Sequence, residues 1–204
     1  MYVIDRLQAR GNVFPREEGI FKRELAVCLE TAGDSDAAIK VLSSISYENG
    51  DEQIIDKVDD YLTIAEIWLD RDDSTQAEIY VNKASHLIYH EKVTPKLQFR
   101  YKRAFVMVSD SKRDYINAAQ GYYNLSTSKH TTDQDGQFHI FTLGLACAIL
   151  APAGPRKDRQ LTLFMKDERS KLCDHYDLLQ KFATGSVIKP SQTKKFESTL
   201  KVHQ

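Results

Sequence analysis

Three stretches decide the fold: LETAGDSDAAIKVL (residues 29–42), WLDRDDSTQAEIYV (68–81) and SDSKRDYINAAQGYY (109–123). They align on Asp34, Asp73 and Asp114, at offsets of 39 and 41 residues. Four residues after each aspartate stands an alanine: Ala38, Ala77 and Ala118. Eight residues before it come Ala26, Ala65 and Val106. A period near this size, with two helices per unit, is that of a helical solenoid. Each position has a physical reason. An aspartate ending a tight interhelix turn can accept hydrogen bonds from the first free N–H groups of the next helix. Small side chains let the two helices of a hairpin approach closely. Leu29, Trp68, Leu42 and Val81 are large enough to fill the space beside them. Residues 138–166 read as a fourth, degenerate unit in which proline replaces the aspartate turn.

Outward from the repeat, helical spacing dominates. Ile54, Val58, Tyr61, Leu62, Ala65 and Leu69 form one apolar stripe at steps of three and four. Turn signals at Gly33-Asp34, Asn49-Gly50-Asp51, Asp72-Asp73-Ser74, Thr94-Pro95 and Pro152 to Pro155 separate the helices. The pattern predicts about ten, near 15–32, 35–46, 52–70, 74–90, 95–109, 114–127, 134–151, 155–166, 169–184 and 190–203. The expected fold class is all-α, a right-handed α–α superhelix of TPR-like helix pairs. Residues 1–14 are expected to be a tail or partial helix, and 15–185 the helical-repeat domain.

A chain of 204 residues suggests one domain, or one and part of another. A content of 42% hydrophobic and 28% charged residues belongs to a folded soluble protein. The net charge of -1 argues against a general polyanion binder. Residues 151–204 nevertheless hold 11 Lys and Arg against 6 Asp and Glu. The plain reading of that excess is a solvated basic face, though it could meet an acidic partner. Cys28, Cys147 and Cys173 are far apart, each among apolar neighbours in a predicted helix, and are expected to be buried free thiols in a reducing compartment. Met1 to Arg10 lacks the apolar core of a signal peptide, and the run Leu143 to Ala151 is too short to cross a bilayer. The expectation is an intracellular, soluble protein.

Nothing in the chain matches a catalytic, cofactor-binding or metal-binding pattern. No phosphate loop or dinucleotide fingerprint is present. His86 and His90 stand four apart, but Leu87 occupies the place where a zinc protease needs glutamate, and no third ligand is evident. His130, His139, His175 and His203 are scattered. Asp59 and Asp60 are expected on the polar side of a helix, and Asp72 and Asp73 at a turn. The basic clusters Arg100-Tyr101-Lys102-Arg103, Arg156-Lys157-Asp158-Arg159 and Lys194-Lys195 raise RNA as a partner. Tyr101 and Phe105 read as core residues, however, and the whole chain is not basic.

Two segments carry a resemblance. YLTIAEIWLDRDDSTQAEIYVNKASHL (61–87) and AILAPAGPRKDRQLTLFMKDERSKL (148–172) resemble the repeat region of the COP-nine signalosome subunit-four family, within the PCI-domain proteins. That family has a turn like Ile149-Leu150-Ala151-Pro152-Ala153-Gly154 before a segment like Leu163-Phe164-Met165-Lys166-Asp167-Glu168-Arg169, with Met165 as an insertion. The end, Phe196 to Gln204, is similar to the helix that leads into the family's winged-helix part. The resemblance runs from about Pro15 to Gln204, so 186–204 is expected to lead toward a winged helix that is missing here. The family also has repeats before the equivalent of Met1, so a fragment or truncated form is the expectation.

The resemblance implies a non-catalytic scaffold that supports removal of the ubiquitin-like modifier Nedd8 from cullins, the chemistry belonging to a separate zinc metalloprotease subunit. It implies no cofactor, other signalosome subunits and a cullin–RING ligase as partners, and a cytoplasmic and nuclear location; the hydropathy predicts no membrane partner, and the net charge disfavours nucleic acid. A scaffold of the proteasome lid or of a translation initiation complex, and an RNA-binding repeat protein, are the alternatives. Exposed polar residues alone pick out no contact face.

Overall fold

The computed structural model describes residues 15–47, 53–128, 134–201 and 203–204. The expected element at 1–14 lies outside the described residues. The helices are α1 (Pro15–Thr31), α2 (Ser35–Ser43), α3 (Ile54–Asp70), α4 (Ser74–Ser85), α5 (Pro95–Ser111), α6 (Tyr115–Ser126), α7 (Gln134–Leu150), α8 (Pro155–Lys166), α9 (Tyr176–Thr184) and α10 (Pro190–Glu197). A short 3-10 turn, Glu168–Leu172, lies between α8 and α9. No strand occurs among the described residues. The protein is all-α, with a repeated helix hairpin.

Three interhelix turns share one construction. The residue before each aspartate has a left-handed backbone: Gly33 (φ 84°), Asp72 (φ 59°) and Arg113 (φ 62°). The aspartate N–H then donates backward, from Asp34 to Leu29 O (2.9 Å), Asp73 to Trp68 O (3.0 Å) and Asp114 to Ser109 O (2.9 Å). This pairing closes the preceding helix on its orphan carbonyls. The same aspartate opens the next helix. Its carboxylate accepts from Ala37 N (3.1 Å), Gln76 N (3.0 Å) and Asn117 N (3.5 Å) in the three turns. At Asp114 the long contact is reinforced by the Asn117 side-chain amide at 2.6 Å. The turn before α8 is built differently. Gly154, at φ 152°, precedes it without a side-chain cap. Pro155 at the first helical position has no N–H to satisfy, so one reason for a capping side chain is gone.

The chain forms two compact units, residues 1–101 and 102–204, with the division inside α5. In the first, α1 packs on α2, α2 on α3, and α3 on α4. Ala26, Ala38, Ile39, Leu42, Ile64 and Ile67 make one core cluster, with Leu29 and Trp68 against it. Val58, Leu62, Ala84, Ile88, Val93 and Leu97 make the next. Helix α3 therefore buries two faces, one toward each hairpin neighbour. In the second unit α6, α7 and α8 pack mutually and α9 joins α7 and α8. Tyr123, Phe141 and Phe164 meet there with ring centroids 5.1 to 6.2 Å apart.

Several expectations need correction. The helix expected to run to residue 90 ends at Ser85, so His86 and His90 no longer share a helical face. The segment expected as one helix over 169–184 is broken: Asp167 caps a 3-10 turn that ends at Cys173, whose backbone is extended (φ -82°, ψ 140°), and α9 starts only at Tyr176. The last helix stops at Glu197, where Ser198 and Thr199 turn their hydroxyls back onto Lys195 O and Phe196 O. Cys28 is exposed; only Cys147 and Cys173 are buried.

Candidate interaction surface

The small repeat positions face inward. Ala38, Ala65, Ala77 and Ala118 are fully buried and Ala26 nearly so. Asp34, Asp73 and Asp114 are the helix caps. The five alanines offer no surface to a partner; the carboxylates of Asp34 and Asp114 cap their helices at the exposed rim of the turns.

The two neighbouring carboxylates of α3 that read as solvated in the sequence are both committed to arginines, and one of them is inside. Asp60 is buried, contrary to expectation. Its carboxylate accepts from Arg23 Nε at 2.9 and 3.0 Å and from the Tyr47 hydroxyl at 2.5 Å. The reason lies in α1, which brings Arg23 across from 37 residues away. Asp59 and Glu66, two turns apart on α3, hold Arg100, with 2.6 Å to Glu66 Oε2. Tyr101 is half-buried against the second cluster, whereas Phe105 is exposed and is not core.

The segment around Arg169 and the chain's last residues both hold helices in place. In Lys166-Asp167-Glu168-Arg169, Arg169 forms a two-point pair with Asp167 (3.0 and 2.6 Å). It also donates to Ser126 O at 3.2 Å and stacks over Phe141 at 4.3 Å. The guanidinium holds the Asp167 carboxyl below its usual range. Ser170 adds a 2.5 Å bond to Phe164 O. The segment thus pins α8 to the end of α6. At the chain's end, Gln204 donates to buried Asp110 at 2.8 Å, and Arg113 donates to His203 O at 2.9 Å. Asp110 also accepts from Tyr122 at 3.1 Å and from Cys147 at 3.4 Å. Burial and this carboxylate push the Cys147 thiol up.

The outer faces hold what remains. On α1, Ile20, Phe21 and Val27 are exposed. On α8, the basic cluster divides. Lys157 turns inward to donate to Ile149 O at 2.7 Å and to cover Phe182, while Arg156 and Arg159 stay outside. Among the described residues there is no cluster of three or more His, Cys, Asp or Glu that could hold a metal ion. Nor is any helix among them long and apolar enough to cross a membrane.

Buried alanine contacts, capped turns and polar groups spent on holding helices together define a helical-repeat protein whose outer faces are left for contact. The chain belongs to the PSMD12/CSN4 N-terminal family, which residues 2–134 match. It is 33% identical over 205 residues to COP9 signalosome complex subunit 4 of Drosophila melanogaster, covering all of this chain and 50% of that protein. The Dictyostelium discoideum protein of the same name is 32% identical over 206 residues, covering all of this chain and 52% of its own length. That of Neurospora crassa is 30% identical over 188 residues, 91% of this chain and 42% of its own. The chain spans about half the length of the curated relatives it matches.

Proposed function

We propose that this chain is the helical-repeat part of a COP9 signalosome subunit 4, a non-catalytic scaffold. It supports removal of Nedd8 from cullins through protein contacts with other signalosome subunits and with the cullin–RING ligase. The observation that carries the reading is the similarity to COP9 signalosome complex subunit 4 over 91% to 100% of the chain. The use of buried carboxylates and thiols for packing rather than for an open cleft agrees with it. A right-handed superhelix of TPR-like helix pairs belongs to this proposal, as does an assembly acting in cytoplasm and nucleus. No cofactor is required.

One alternative has a specific observation behind it. The matched family description also includes PSMD12, and a proteasome-lid scaffold would use the same fold. Affinity purification of the tagged protein, with mass spectrometry of the co-purifying proteins, separates the two. Signalosome subunits and a cullin are expected. Recovery of lid subunits in their place would overturn the assignment.

A further inference from the structure

Helices α6 and α8 enclose an open groove of about 350 Å³. From α8 it is lined by Arg156, Arg159 and Gln160, at steps of three and four on one helical face. From α6 come Asn117 and Gln120. Ile116 and Leu163 supply its apolar part. No carboxylate lines it.

The polar groups in the groove satisfy one another only in part. Arg159 has no hydrogen-bond or ion-pair partner among the described residues, and Arg156 reaches only Asn117 Oδ1 at 3.4 Å. Gln160 is only 9% exposed. Its Nε2 donates to Gln120 Oε1 at 2.6 Å, and Gln120 donates on to Asn124 at 3.1 Å. That chain of bonds runs one way and leaves Gln160 Oε1 buried without a donor. A buried acceptor left empty costs free energy that a ligand N–H would recover.

The groove therefore asks for two things together. Two guanidiniums, one with no partner and one with a single amide oxygen at 3.4 Å, ask for anionic oxygens, which carboxylates supply in a planar pair that matches the guanidinium fork. The orphan amide oxygen asks for a donor. A fully ionised phosphate has acceptors alone and cannot fill that second role. A polypeptide with acidic side chains carries both, since its backbone N–H lies within a few ångströms of its carboxylates. We propose that this groove is a docking site for an acidic, extended segment of a partner protein, with Asp or Glu on Arg156 and Arg159 and a backbone N–H on Gln160 Oε1. The inference deepens the scaffold reading and rests on it for the kind of partner. The test is direct binding to this chain, so its failure would leave the co-purification result untouched.

The probe is a blocked, fluorescein-labelled peptide alternating glutamate and leucine, monitored by fluorescence anisotropy on the full chain. Saturable binding is expected. Arg156→Glu combined with Arg159→Glu should weaken it by about tenfold or more, with unchanged helix content, because both residues are exposed. Gln160→Met, which keeps the side-chain length but removes the acceptor, should weaken it by about threefold to tenfold. Absence of saturable binding, or affinity unchanged by the arginine reversal, would overturn the proposal. So would affinity unchanged by Gln160→Met, since the orphan acceptor would then go unread. Displacement of the peptide by equimolar tripolyphosphate, or tighter arginine-dependent binding of an RNA oligonucleotide, would reassign the groove to phosphate.

Discussion

Val106 on α5 closes on Gly121 of α6 so tightly that a β-carbon at Gly121 would lie 2.2 Å from the Val106 Cγ2 methyl. The pair is a volume exchange within the repeat. Where this hairpin has Val106, the first two have Ala26 and Ala65. Seven residues after the turn aspartate, where this one has Gly121, they have Val41 and Tyr80. Bulk has moved from the second helix to the first, and glycine is the residue that accommodates it.

Gly121→Ala should accordingly destabilise the protein by about 1–3 kcal/mol through overpacking. Adding Val106→Ala should recover part of that loss. Urea unfolding of the two single variants and the double variant measures the coupling. Additive effects would mean that the two residues do not share the space described.

The capped turns make a second set of expectations. Asp73→Ala removes the acceptor for Gln76 N and should cost about 1 kcal/mol. Gly33→Ala places a side chain at φ 84° and should cost about 1 kcal/mol as well. Thermal unfolding of both variants checks this, and an unchanged melting temperature would contradict the cap assignment.

The thiols should differ in reactivity. Cys28 is exposed, whereas burial pushes the Cys147 and Cys173 thiols up. In a native titration with a thiol reagent near neutral pH, one cysteine should react rapidly. All three should react after denaturation. Rapid native reaction of Cys147 would argue against its seat beside Asp110.

Stability should fall on mild acidification because of His175. It is buried against the Phe196 ring at 5.0 Å and lies 3.1 Å from Thr199 Oγ1, with Asp174 and Lys195 as the nearby charges. Desolvation lowers its pKa below 6.5. Above that pH the imidazole is neutral in both folded and unfolded chains, so its contribution is complete. As pH drops through 6.5 the unfolded chain binds the proton first, and stability declines until the folded-state pKa is passed. Asp167 adds a second loss below 3.8, since Arg169 lowers its pKa in the folded chain. Urea midpoints across the first window should slope downward toward acid in the parent and less so in His175→Gln. Equal slopes would contradict the burial of a neutral imidazole.

The all-helical class is legible because Ile54, Val58, Leu62, Ala65 and Leu69 recur at steps that only a helix turns to one side. What escapes such a reading depends on residues far away in sequence. Asp60 looks solvated until α1 brings Arg23 to it. Cys28 reads with its apolar neighbours, yet Leu25 and Leu29 turn partly inward while it turns out. The break after α8 comes from the Asp167–Arg169 side-chain pair, which leaves no trace in apolar periodicity. Arg156 and Arg159 are visible as a basic cluster. Their grouping with Asn117 and Gln120, and the lack of an acid among them, require the packing of α6 on α8.

On the proposed function, this chain would contribute contacts and no chemistry to cullin deneddylation. The measurement that tests it is release of Nedd8 from a modified cullin, monitored with the purified chain and zinc alone, and with the catalytic signalosome subunits present. No release by the chain alone is expected, and release by the assembly should depend on its metalloprotease subunit. Chelator-sensitive release of Nedd8 by the chain alone would contradict it.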